Sequence, residues 1–158
     1  MLSNNRDKYL DLSLSAIGAT IAITLALWFL ADQRSPFLLA SLGGSTVFLF
    51  ALSEAEAAQP RALFGGHLGG ALVGILCYQA FGDALWVSAV AVVLTMVFMV
   101  VTRTIHPPAG ANPLFMVHHH ASFGALLKPV GAGVLTLFLV ALLWSRLRLA
   151  KQYPIEWW

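Results

Sequence analysis

His106-Pro107-Pro108-Ala109-Gly110-Ala111-Asn112-Pro113 lies between two long apolar segments and fits neither an ordinary loop nor an ordinary membrane-spanning helix. The paired prolines carry no backbone N–H, and Pro107 pushes His106 out of the α region. Beyond them the chain stays apolar up to His118-His119-His120, with Asn112 its one polar side chain. In a membrane protein, broken backbone of this kind is tolerated only against other protein or a water-lined cavity. The stretch is therefore the first place to look for function.

Its surroundings are membrane-like. Of 158 residues, 59% are hydrophobic and 10% charged, against about 45–50% and about 25% in soluble domains. A bilayer core takes about 20 apolar residues per helix. Several windows of that kind fill the chain and leave no room in it for a separate soluble domain. Cys77 is the single cysteine, which excludes an intrachain disulfide and a cysteine metal cluster. Nothing in the charge pattern suggests nucleic acid.

Leu12 to Ala31 reads as a first span after a polar segment 1–11, too long and without the cleavage site of a signal peptide. Ser35-Pro36 reads as a helix start. Phe37 to Leu52 is short, and Gly43-Gly44-Ser45-Thr46 is expected to break it. After a polar link containing Gln59-Pro60-Arg61, Phe64 to Phe81 carries Gly65, Gly66, Gly69, Gly70 and Gly74, a spacing that lets a neighbouring helix come close, with His67 in the same face. Ala84 to Thr102 is the most uniformly apolar span, and Pro129 to Trp144 is the last. The aromatic tail, residues 149–158, reads as an interfacial anchor.

Sliding the chain by 66 residues aligns Gly44 with Gly110, Gly65 with Gly131 and Leu76 with Leu142. The order of elements also repeats: long span, short broken segment, glycine-led span. The expected fold is thus an all-α integral membrane domain, residues 12–148, of two inverted three-segment halves (12–81 and 82–148) whose short helices meet near the midplane. If both short segments cross, Arg6, Lys8, Arg61, Arg103, Arg146, Arg148 and Lys151 share one side, against Arg34 and Lys128. That asymmetry puts both chain ends in the cytoplasm.

Short helices ending within a membrane expose free amides and a partial positive charge of about +0.5 at their N-termini, which attracts anions. The expected binding site comprises His106, Pro107, Pro108, Gly110, Ala111 and Asn112 with Gly43, Gly44, Ser45 and Thr46. Gln59, Arg61, His67 and Arg103 are expected to supply supporting charge and orientation. The ligand class is a small anion, and histidine protonation offers a route for coupling it to protons. No Ser-His-Asp, paired-carboxylate or Walker arrangement points to an enzyme, and no cofactor is expected. The rival readings are a metal or haem protein using His67, His106 and His118, His119 and His120, and a structural subunit without a pathway.

His106-Pro107-Pro108-Ala109-Gly110-Ala111, with Gln59-Pro60-Arg61 and Gly65-Gly66-His67, resembles the signature regions of the HPP family of small integral membrane proteins. The resemblance runs from Leu12 to Trp144. It implies transport of nitrite or a similar small anion, as described for cyanobacterial and chloroplast-envelope members, here in a bacterial cytoplasmic membrane. The glycine faces and small size lead us to expect a homo-oligomer.

Overall fold

The computed structural model describes residues 5–30, 35–147 and 152–157, apart from the side chain of Arg6. Arg34, Arg148 and Lys151, three of the cations that set the expected orientation, lie outside the described residues. The order is α1 (Asn5–Phe29), α2 (Pro36–Phe50), a 3-10 turn (Glu56–Ala58), α3 (Pro60–Phe81), α4 (Leu85–Thr102), a 3-10 segment (Pro107–Ala111), α5 (Asn112–His118), a wide turn (Leu126–Gly131) and α6 (Ala132–Ser145). Four stretches, Asp7–Phe29, Pro60–Phe81, Leu85–Thr102 and Leu126–Ser145, are long and apolar enough to cross a membrane, and Pro36–Phe50 is a shorter apolar helix.

The polarity is arranged for lipid rather than water. Ile17, Ile21, Leu25 and Trp28 of α1 and Val93, Val97 and Val101 of α4 point outward, while Ser41, Ser45, His67, His106 and Asn112 are buried. Hydrocarbon tails are as apolar as leucine, so outward apolar side chains cost nothing there and polar ones must be satisfied inside the protein.

The short segments depart from expectation in two ways. Gly43-Gly44-Ser45-Thr46 does not interrupt its helix, and α2 runs unbroken through it. The second short segment is divided, tight 3-10 backbone over Pro107–Ala111 followed by the brief α5. Pro107 and Pro108 have no N–H to donate, and the N–H of Ala109 is taken by the carbonyl of His106 at 3.0 Å. The proline-led start therefore has none of the spare amides expected of it. Ser35 caps α2 with its backbone alone, since its side chain makes no cap bond.

Packing explains the placement. α3 lies against α4, α5 and the 107–111 segment, whereas α1 packs on α6 and α2, and α2 touches both α6 and the 107–111 segment. The two sequence halves are interleaved across these contacts. Along α3, a Cβ on Gly66 would lie 2.9 Å from His106 Cβ, one on Gly70 3.1 Å from the Ala109 carbonyl oxygen, and one on Gly74 2.6 Å from Pro113 Cα. The glycine edge is thus the groove that receives the broken backbone.

The ends can also be placed. Trp144 Nε1 donates to the Leu14 carbonyl at 2.9 Å, setting the start of α1 beside the end of α6. Arg61, Arg103 and Glu156 line one cavity, while at the opposite end of α3 the His120 Nε2 and Asp83 Oδ2 atoms lie 2.7 Å apart. The hydrogen bond from His120 holds the Asp83 carboxyl below its usual range.

A Gly74→Ala substitution is expected to force α3 off the backbone of Pro113 and to cost about 1–3 kcal/mol, as overpacking does. Gly43→Ala meets open space and is expected to be neutral or stabilising by up to about 1 kcal/mol. Thermal midpoints of the two variants in detergent, followed by size-exclusion chromatography after heating, check the contrast.

Candidate functional site

Helix α2 brings Ser41 and Ser45, one turn apart, onto the same face. Helix α3 presents His67 from between Gly66 and its glycine neighbours, the loop after α4 presents His106, and the first residue of α5 presents Asn112. Gly44 and Gly66 let these three layers close up: a Cβ on Gly44 would sit 2.9 Å from Pro108 Cβ, and one on Gly66 3.0 Å from the Thr104 carbonyl oxygen. Ser41, Ser45, His67, His106 and Asn112 are all 0% exposed. His67 follows Pro60 by a helical rise of about 10 Å at 1.5 Å per residue, so the cluster lies within the span and nearer the Arg61 end.

The hydrogen bonds determine which nitrogen carries which proton. Ser41 Oγ donates to Asn112 Oδ1 at 2.8 Å. Asn112 Nδ2 donates to His67 Nδ1 at 2.9 Å and to the His67 carbonyl at 3.0 Å. An amide nitrogen is a donor only, so His67 Nδ1 accepts, and the neutral ring carries its proton on Nε2. That nitrogen lies 2.8 Å from Ser45 Oγ. His106 Nδ1 faces the Ala57 carbonyl at 2.6 Å and must donate to it, while His106 Nε2 lies 2.8 Å from the same Ser45 Oγ. The imidazole centroids are 5.0 Å apart, and Phe48 packs on His106 at 5.5 Å.

The structure therefore gathers Ser45, His67, His106 and Asn112 from the expected residues, with Gly44 and Pro108 in packing contact beside them. His67, expected in support, is at the centre. Ser41 is an addition that sequence reasoning missed; the available signal was its position one turn before Ser45. Thr46 turns away, its Oγ1 donating to the Leu42 carbonyl at 2.9 Å. Gly43 and Gly110 face open space, Pro107 is exposed and Ala111 half-buried.

Gln59, Arg61 and Arg103 form a separate group. They line a cavity of about 270 Å³ with Glu56, Ala62, Glu156 and Trp157. Arg61 Nη2 donates to the Thr102 carbonyl at 2.9 Å, closing the end of α4, where Arg103 adopts the left-handed conformation at φ 55°. Arg61 also borders an apolar groove of about 860 Å³ along the Gly65 and Gly69 side of α3. Gln59 is a clamp: its Nε2 donates to the carbonyls of Ser53 and Ala55 at 2.9 and 3.0 Å, and its Oε1 accepts from the backbone N–H groups of Ile155 and Glu156 at 3.1 and 3.3 Å. Tyr153, expected at the headgroups, is buried and donates to the Ala58 carbonyl at 2.9 Å. Burial pushes its phenol pKa up. This tail thus holds the residue next to Ala57, the partner of His106. The exposed histidines 118–120 sit at the far end, and among the described residues no group of three or more His, Cys, Asp or Glu is positioned to hold a metal ion.

Compared with known proteins, the chain matches the family described as HPP, transmembrane region, over residues 4–154. It belongs to the HPP family. The chain is 33% identical to a transmembrane protein of Dictyostelium discoideum, with 91% of this chain and 49% of that protein covered. It is 31% identical to a second transmembrane protein of the same organism, with 80% of this chain and 47% of that protein covered. The chain spans about half the length of these curated relatives. No solved structure matches it. Membership and the four apolar spans together make it an integral membrane protein.

Tyr153→Phe removes one buried hydrogen bond, a loss of about 1 kcal/mol, and leaves the Ala58 carbonyl unpaired. Faster hydrogen exchange is expected in residues 55–59 and 152–157, with exchange in α4 unchanged; mass spectrometry of the exchanged peptides reads it.

Proposed function

We propose that the chain is a membrane transporter for a small inorganic anion, with nitrite the substrate that the family resemblance implies. One observation carries the reading: two histidines, two serines and an asparagine are buried at 0% exposure where α2, α3 and the 106–112 segment cross. Such groups are expensive at membrane depth and mark ion or proton pathways. A neutral imidazole offers one hydrogen bond per nitrogen, and a protonated one adds the positive charge that an anion needs in a low dielectric.

The anion contacts differ from those expected of helix N-termini. The attraction comes from the charge of a protonated side chain, since α2 is continuous and the proline-led start has no free amide. Entry from the Arg61 and Arg103 cavity accounts for those two cations without giving them a place in the buried cluster. Two facts support paired halves, the repeat from which inversion is read. Exchange of the halves maps the α1 to α6 contact onto α4 to α3, and the α2 to α6 contact onto α5 to α3. The shift of 66 residues also carries the range of α3 onto 126–147, beside the observed span Leu126–Ser145. In this reading both termini face the cytoplasm of a bacterial cell, and copies of the chain associate through the apolar groove bordered by Leu68 and Leu72 of α3.

The test is flux of nitrite, nitrate, chloride and formate into liposomes, with an imposed pH gradient, for the parent and His106→Ala. Nitrite uptake is expected to follow the proton gradient, and the variant to lose at least about tenfold, equivalent to roughly 1.4 kcal/mol. Equal flux of every anion through both proteins, or a stoichiometric metal in the purified parent with no flux, overturns the reading.

A further inference from the structure

We infer that the buried cluster is a site for one proton, carried on His106 Nε2, and that the Ser45 hydroxyl switches between two acceptors as this proton comes and goes. The inference deepens the transport reading and depends on it only for the pairing of that proton with an anion.

The hydrogens of the cluster can be counted. Ser45 Oγ has three neighbours at the same distance, 2.8 Å: His67 Nε2, His106 Nε2 and the Ser41 carbonyl oxygen. A hydroxyl has one hydrogen and two lone pairs. His67 Nε2 always donates to it, because Asn112 occupies His67 Nδ1. His106 Nδ1 always donates to the Ala57 carbonyl. With His106 neutral, its Nε2 is bare, and the serine hydrogen points to it; the donors then run in one direction from Asn112 through His67 and Ser45 to His106 and Ala57. With a proton added, a new N–H bond forms on His106 Nε2 and donates to Ser45 Oγ. The serine O–H turns about its Cβ–Oγ bond to the Ser41 carbonyl, already 2.8 Å away. Both lone pairs and the hydrogen of Ser45 are then used. No heavy atom moves and no O–H bond breaks.

A second proton has no place. The remaining nitrogen of His67 accepts from Asn112 Nδ2, whose other hydrogen goes to the His67 carbonyl. Protonating it would require the amide to turn over and abandon both bonds. It would also set two imidazolium rings 5.0 Å apart. The groups that face the rings are Ser41, Ser45 and Phe48 from α2, Asn112 from α5 and the Ala57 carbonyl, together with each ring itself; no lysine or arginine is among them, and no carboxylate that would balance a second positive charge. One proton against one monovalent anion makes the loaded site electroneutral.

Nitrogen-15 NMR of histidine-labelled parent protein in lipid tests this without any variant. At high pH, His106 is expected as the Nδ1–H tautomer and His67 as the Nε2–H tautomer; on acidification only His106 gains a second N–H. Ser45→Ala removes the acceptor for that N–H and is expected to move the His106 midpoint by about one pH unit or more, a tenfold change in proton affinity. Ser45→Thr, which keeps a hydroxyl, is expected to restore it. Both rings titrating together, His67 titrating first, or a midpoint indifferent to Ser45→Ala overturns the inference. Proton and nitrite uptake measured together in liposomes are expected in a ratio of one. NMR as expected with no flux of any anion would leave the proton site standing and remove the transport reading; flux with both rings titrating together would do the reverse.

Discussion

The structure depends on burying a stretch of backbone that cannot form a regular helix. Pro107, Pro108 and Pro113 remove donors from the segment between α4 and the end of α5, and in hydrocarbon the missing bonds cannot be replaced by water. The solution is to sandwich that segment between two helices shaped to receive it: the glycine edge of α3 on one side and Gly44 of α2 on the other. Close approach of the backbones follows, and with it the meeting of side chains from residues 41 to 112 in a space too small for any of them to reach lipid. The functional cluster is a product of that fit.

How far the sequence discloses this depends on the kind of signal. The long spans are visible because a bilayer demands an uninterrupted apolar run, and the glycine edge is visible because its spacing matches helical periodicity. Gly43-Gly44-Ser45-Thr46 misleads for a physical reason. Glycine costs a helix about 1 kcal/mol per residue, yet here Pro108 packs where a Gly44 side chain would be, and Ser45 and Thr46 each have a carbonyl of their own helix within hydrogen-bond distance. Ser41 passes as an ordinary small residue until the fold sets it beside Asn112. Tyr153 and Gln59 are equally opaque, because their partners lie 95 and 96 residues away at Ala58 and Ile155. An interfacial aromatic and a buried one have the same local sequence.

The cluster contributes little to stability for its size. Interhelical hydrogen bonds in membranes average about 0.6 kcal/mol, because unfolded helices in lipid also find partners. The tight joints between glycine and proline account better for cohesion, and the polar groups for orientation: each donor and acceptor in the chain from Asn112 to Ala57 permits one tautomer of its neighbour. The clamp at Gln59 extends that orientation outward. It fixes the 53–59 loop and the tail at once, so Ala57 presents its carbonyl to His106 from a position tied to both.

The serine and threonine back-bonds of α2 bear on how the protein is made. Helix α2 is synthesised well before His67, His106 and Asn112 exist, and it must wait in lipid or in the insertion machinery until they arrive. Asparagine or histidine at position 45 would wait there with bare polar groups, whereas Ser45 and Thr46 shelter their hydrogens on carbonyls one turn back, at 2.8 and 2.9 Å. The residues that need long-range partners, His106 and Asn112, emerge after α3 has supplied its groove. The order of the chain therefore gives Ser45 and Thr46 partners within their own helix from the start, and lets His106 and Asn112 arrive where Ser45, Ser41 and His67 already stand.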